Sequence, residues 1–107
     1  MQTEEKFLLD LEKRWEELGP KAHPISYRKD QVLFYEGHQP CGLFVLLKGE
    51  IRFTHQGKSC EEKHLWNFQK TKLVCLKSFL EESSYACHAQ ILSDAEFLFL
   101  PKMELLS

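Results

Sequence analysis

The chain has 107 residues, is 43% apolar with eight Phe, and carries a formal net charge of −2. A chain this long suits one domain, 1–107, that buries about two-thirds of its unfolded surface. The balanced charge leaves no electrostatic footprint for nucleic acid, no apolar run approaches the ~20 residues needed to span a bilayer, and the charged start from Glu4 is not a signal peptide, which predicts a cytoplasmic location.

Residues 3–18 read as a helix. Thr3 is a candidate N-cap, and Glu4 and Glu5 suit the positive end of the helix dipole. Phe7, Leu8, Leu11, Trp15 and Leu18 draw one apolar stripe, with Asp10/Arg14 and Lys13/Glu17 spaced i, i+4 on the wet side. Gly19-Pro20 predicts a stop. Trp15 is expected to anchor this helix on the β-domain. Residues 21–26 form a connector holding Pro24.

Residues 29–53, KDQVLFYEGHQPCGLFVLLKGEIRF, hold three apolar runs at 32–35, 43–47 and 51–53. Turn residues punctuate them at 36–38, 40–42 and 48–50, which predicts short antiparallel strands with Gly at the corners. Residues 51–55 alternate as a half-buried strand, and 56–58 are a turn. Residues 59–72 are read as a strand followed by a loop. Leu73–Leu76 reads as a buried strand and 77–84 as a short helix or turn. From Ala86 to Leu92, Cys87, Ala89 and Ile91 share one side, with His88 and Gln90 on the other. A turn is expected at Ser93-Asp94-Ala95, a strand buried on both faces at 97–100, and a helical stub at 101–106 opened by Pro101.

Four cysteines, at 41, 60, 75 and 87, contain no C-x-x-C pair. With no export signal they are expected as four free thiols, Cys75 and Cys87 packing as small apolar groups.

The order of these parts resembles the cyclic-nucleotide-binding domain family, the β-roll sensor of catabolite-activator-type regulators. The resemblance rests on YEGHQPCGLFVLLKGEIRF and on residues 91–101, ILSDAEFLFLP, which echo the family's A-x-t-D-x-E-x-x-x-L-P stretch. It covers roughly residues 25–106. It implies a mainly β fold, an antiparallel double-stranded β-helix or jelly-roll over 25–100, with an N-terminal helix and short cassette and C-terminal helices.

The family's phosphate-binding cassette is a short helix bounded by Gly-Glu and Arg-Ser/Thr-Ala. A cyclic phosphate is a monoanion that wants a guanidinium and helix N-terminal N–H groups, while the ribose wants a carboxylate. Counting back from Ser93-Asp94, Gly-Glu falls on Val74-Cys75 and Arg-Ser on Tyr85-Ala86. The arginines are Arg14, Arg28 and Arg52, none of them in 73–95. Lys77 and His88 are the remaining cations, and lysine lacks the planar two-pronged donor set. The resemblance therefore implies a degenerate cassette lined by Leu73, Val74, Cys75, Leu76, Phe79, Tyr85 and Ala86, unable to bind cyclic AMP or GMP in the usual way. It is either a filled core or an apolar cleft.

The predicted function is a non-catalytic sensor or regulatory module. The alternatives are a sensor for an apolar or aromatic ligand or for haem, through Cys75 or His88, and a cupin-like metal-dependent enzyme. No H-x-H pair exists, although His55 and His64 could meet across a hairpin. G-x-S-x-G, H-E-x-x-H and P-loop signatures are absent. No cofactor or metal is implied. The partners expected are a small-molecule ligand, a protein or a second copy, with no membrane. The family's long dimer helix and helix-turn-helix do not fit before Ser107, so no nucleic acid is expected through this chain.

Overall fold

The computed structural model describes residues 4–60, 65–68 and 70–106. Helix α1 (Glu4–Lys13) breaks at Arg14 and resumes as α2 (Trp15–Leu18), and a 3-10 turn (Gly19–Lys21) follows. The single helix expected over 3–18 is thus two, and the α-helix ends at Leu18 before Gly19-Pro20 as expected, the chain going on as one 3-10 turn. Thr3 lies outside the described residues. Phe7, Leu11 and Leu18 are buried, and Trp15 meets Phe68 edge-on at 5.1 Å, so the stripe faces inward as its spacing requires.

Seven strands among the described residues form one antiparallel sheet: β1 (His23–Tyr27), β2 (Val32–Phe34), β3 (Gly42–His55), β4 (Lys58–Ser59), β5 (Leu65–Phe68), β6 (Thr71–Val74) and β7 (His88–Pro101). The order is β1-β7-β3-β6-β5, with β2 also on β7 and β4 also on β3. Helix α3 (Leu76–Leu80) links β6 towards β7, and α4 (Lys102–Leu106) follows Pro101. The 59–72 region is corrected. Ser59 ends β4, and β5 pairs with β6 as a hairpin with Phe68 opposite Thr71, rather than a strand and a loop, while 61–64 and 69 lie outside the described residues.

The turns expected at 48–50 and 93–95 are corrected as well. Both lie inside continuous 14-residue strands that bend together. The register runs from Leu46 opposite Phe97 to Ile51 opposite Ile91, so five steps along β3 answer six along β7. That bulged mismatch changes which parity of β3 faces inward. Phe44 and Leu46 pack on the roll-side cluster before the bend, Ile51 and Phe53 after it. On β7 the inward residues stay odd throughout, Ala89, Ile91, Ala95 and Phe97. Gly49 makes the corner. Its φ is +104°, and a Cβ there would stand 2.6 Å from Ala95 Cα.

The sheet carries two cores. Leu43, Val45, Leu73 and Leu100 face the helices, joined by Phe7, Leu11, Leu18, Leu76, Phe79 and Leu105. Leu46, Phe53, Val74, Ala89, Ile91 and Phe97 face the roll interior. Strands buried on both sides read as unbroken apolar runs, which accounts for residues 43–46 and 97–100, whereas Leu47 is exposed.

Gly49→Ala forces a side chain into the β7 backbone at an unfavourable φ. It should cost about 1–3 kcal/mol in urea unfolding. Gly37→Ala, at φ +91° with nothing within 4 Å, should cost only about 1 kcal/mol.

Candidate functional site

The segment 73–86 leaves β6, forms α3 and returns towards β7. Its seven candidate residues fall on different sides. Leu73, Leu76 and Phe79 are buried in the helix-side core, Phe79 with its ring 6.1 Å from that of Phe7. Val74, Cys75 and Tyr85 are buried in the roll-side core. Ala86 is exposed at the rim of an open cleft. Six therefore fill cores, and the seven do not share one cavity.

The backbone singles out Cys75. It precedes α3 with φ 55° and ψ 45°, a left-handed conformation that glycine adopts without penalty. This lies one residue beyond Val74, where the ungapped count puts the family's glycine. In that shifted register the acid's place falls on Leu76, which is fully buried. Neither register offers a carboxylate.

The ungapped count puts the arginine on Tyr85, and the register shifted to Cys75 puts it on Ala86. The Tyr85 ring stacks on Phe34 with centroids 3.7 Å apart and planes at 9°. Its backbone is fixed too: Gly37 N–H donates to Tyr85 O (2.8 Å) and Tyr85 N–H donates to His38 O (2.9 Å). Burial, with lesser contributions from Cys75 and Cys41, pushes the phenol pKa up and keeps it neutral. No arginine arrives from elsewhere. Arg28 and Arg52 are exposed, and an Arg14 guanidinium N–H donates to Leu105 O (3.3 Å). Lys77 is exposed on α3. Glu36 N–H donates to His88 Nδ1 (3.1 Å), so that nitrogen is engaged as an acceptor.

The open cleft, about 920 Å³, lies between α3, the 83–87 loop and the β3–β4 hairpin. Its ionisable lining is mixed in sign, with Lys58, Lys77 and His55 against Glu4 and Glu81. Trp66 lines it as well, and its Nε1–H is buried without an acceptor among the described residues. Sequence reasoning missed this site. Its walls come from elements far apart in the chain, and polar surface residues carry no periodic signal. His55 Nδ1 lies 2.9 Å from Glu36 Oε1, whereas His64, its expected partner, lies outside the described residues. Among the described residues no three His, Cys, Asp or Glu side chains are grouped to hold a metal.

The expectation of four free thiols is corrected. Cys60 and Cys87 form a disulfide in the cleft wall, Cys41 is an exposed thiol and Cys75 a buried one. Residues 27 apart were brought together by the roll, which no local spacing reports.

Burial pushes the Cys75 thiol from 9.0 up to about 12. Above pH 9 the unfolded chain loses this proton while the folded chain keeps it. Stability therefore falls as pH rises through the window from 9 towards 12, and the Tyr85 phenol acts in the same direction. Urea unfolding should show the protein roughly 1.4 kcal/mol less stable at pH 10 than at pH 8, with Cys75→Ala removing most of that difference.

The family model of the cyclic nucleotide-binding domain matches residues 24–107. Among solved structures, the catabolite activator protein of Thermus thermophilus superposes with a TM-score of 0.68 at 21% identity, over 88% of this chain and 44% of that one. A protein of Silicibacter pomeroyi DSS-3 named for a cAMP-binding regulatory role gives 0.67 at 18%, over 84% and 41%. The N-terminal domain of a transcriptional regulator from Streptomyces coelicolor A3(2) gives 0.65 at 17%, over 87% and 66%. The chain thus spans less than half the length of the first two, and these likenesses speak for the fold alone. No curated protein matches it. No helix among the described residues is long and apolar enough to cross a membrane. A family match over most of the length, on a bent antiparallel roll with a short helix at the cassette position, places this chain in the cyclic nucleotide-binding domain family.

Proposed function

We propose that the chain is a non-catalytic regulatory module that keeps the cyclic nucleotide-binding roll and does not take cyclic AMP or cyclic GMP in the family's usual way. The observation that supports this reading is the buried Tyr85–Phe34 stack, at the residue on which the ungapped count puts the family's arginine. Seating a phosphate monoanion there without a cation would cost several kcal/mol. Leu76, sealed in the helix-side core, offers nothing to a ribose hydroxyl. Its output then runs through a protein partner or a second copy.

A second reading is favoured by the 920 Å³ cleft: a small molecule bound outside the roll core, between α3 and the β3–β4 hairpin. Polar groups spread through a partly apolar lining are the usual make-up of such sites. The cupin-like reading gains no donor set among the described residues.

The test is thermal unfolding with each cyclic mononucleotide at about 1 mM. A ligand at a hundred times its dissociation constant would add about 2.7 kcal/mol, which at this size moves Tm by roughly 10 °C or more. Neither nucleotide should move Tm, and a clear rise with either one overturns the proposal.

A further inference from the structure

Two cysteines flanking non-adjacent strands meet at the far end of β3. Thr54 pairs with Ser59 of β4 on one side and with His88 of β7 on the other. Cys60 follows β4, with its N–H donating to Phe53 O (2.8 Å), and Cys87 immediately precedes β7. Their Cα atoms are 7.1 Å apart. Two strand spacings in a flat sheet would be about 9.5 Å, so it is the curl of the roll that brings them together. Cys87 is buried, while Cys60 is half-buried and opens on the cleft. The covalent loop they close, 27 residues in separation, contains β5, β6, α3 and the cassette exit.

We propose that Cys60–Cys87 is a redox latch on the cassette. Closed, it ties the β3–β4 hairpin to the cassette exit and removes chain entropy from everything between them. Open, α3 and the 83–87 loop are held by non-covalent contacts alone. Opening takes two electrons from a dithiol. A dithiol thiolate attacks Cys60 Sγ from the cleft and the Cys60–Cys87 bond breaks. Cys87 leaves as a thiolate and takes a proton. The second dithiol sulfur then attacks its partner in the mixed disulfide, which releases Cys60 and leaves the dithiol oxidised. The same exchange run backwards, from an oxidised dithiol, closes the latch. The latch works whether or not the cleft holds a ligand.

The experiment compares the full chain oxidised and reduced by dithiothreitol. Non-reducing peptide mapping should join the Cys60 and Cys87 peptides, with Cys41 and Cys75 remaining alkylatable after unfolding. Amide exchange across 65–87 should be on the order of tenfold slower in the oxidised form, with the β3–β7 ladder unchanged. Cys60→Ser should abolish the redox dependence and Cys41→Ser should keep it. A map lacking the 60–87 link, or equal exchange in the two redox states of the unmutated chain, overturns the latch.

Discussion

The close approach of Gly49 to Ala95 is the constraint on which the rest of the structure depends. A Cβ at Gly49 would enter the β7 backbone, and the residue sits at a φ that other L-residues resist. Because that approach is open, β3 and β7 bend as one ribbon and stay paired on both sides of the corner. The one-residue mismatch in the bend then turns Phe53 inward. Without it, Ile51 and Phe53 would lie on the face opposite Phe44 and Leu46 and be lost from the roll-side core.

The bent ribbon gives the sheet two apolar faces, and the helices exist to cover one of them. Burying a large apolar side chain contributes about 1.5–3 kcal/mol, so Leu43, Val45, Leu73 and Leu100 repay the ordering of α1, α2, α3 and α4 over them. The cassette segment belongs to both cores at once. Leu73, Leu76 and Phe79 fasten it to the helices, and Val74, Cys75 and Tyr85 fasten it to the roll. A segment anchored this way keeps its shape when its chemistry changes. Aromatic stacking of Tyr85 on Phe34, worth about 0.5–1.5 kcal/mol beyond burial, adds to the anchoring on the roll side. Cys75 adopts a left-handed backbone although it is not glycine, a local cost that the surrounding core sustains.

Little of the candidate site was legible, and each gap has a definite cause. The missing guanidinium could be read directly, because an absence of arginine over 73–95 needs no geometry. The register of the cassette could not, since it depends on which residue adopts a left-handed backbone, and Cys75 carries no sign of that in its type. That Leu76 faces the helices while Cys75 faces the roll follows from the start of α3 and not from hydropathy, because both residues are apolar. The cleft was invisible for a different reason: Glu4, Lys58, Trp66 and Lys77 meet only after the hairpins and helices have docked.

The sequence by itself determined the antiparallel class, the inward stripe of the first helix, the alternation through Cys87, Ala89 and Ile91, and the helix after Pro101. These follow from period and from local turn chemistry, which act over a few residues. Tertiary structure alone decided that Lys48-Gly49-Glu50 and Ser93-Asp94-Ala95 are bulges within long strands and not turns. It also decided that 65–74 is a hairpin and that Cys60 finds Cys87. A Gly between two apolar runs satisfies a turn and a bulge equally well. Only the partner strand, with its own unbroken ladder, supplies the hydrogen bonds that make the chain run on.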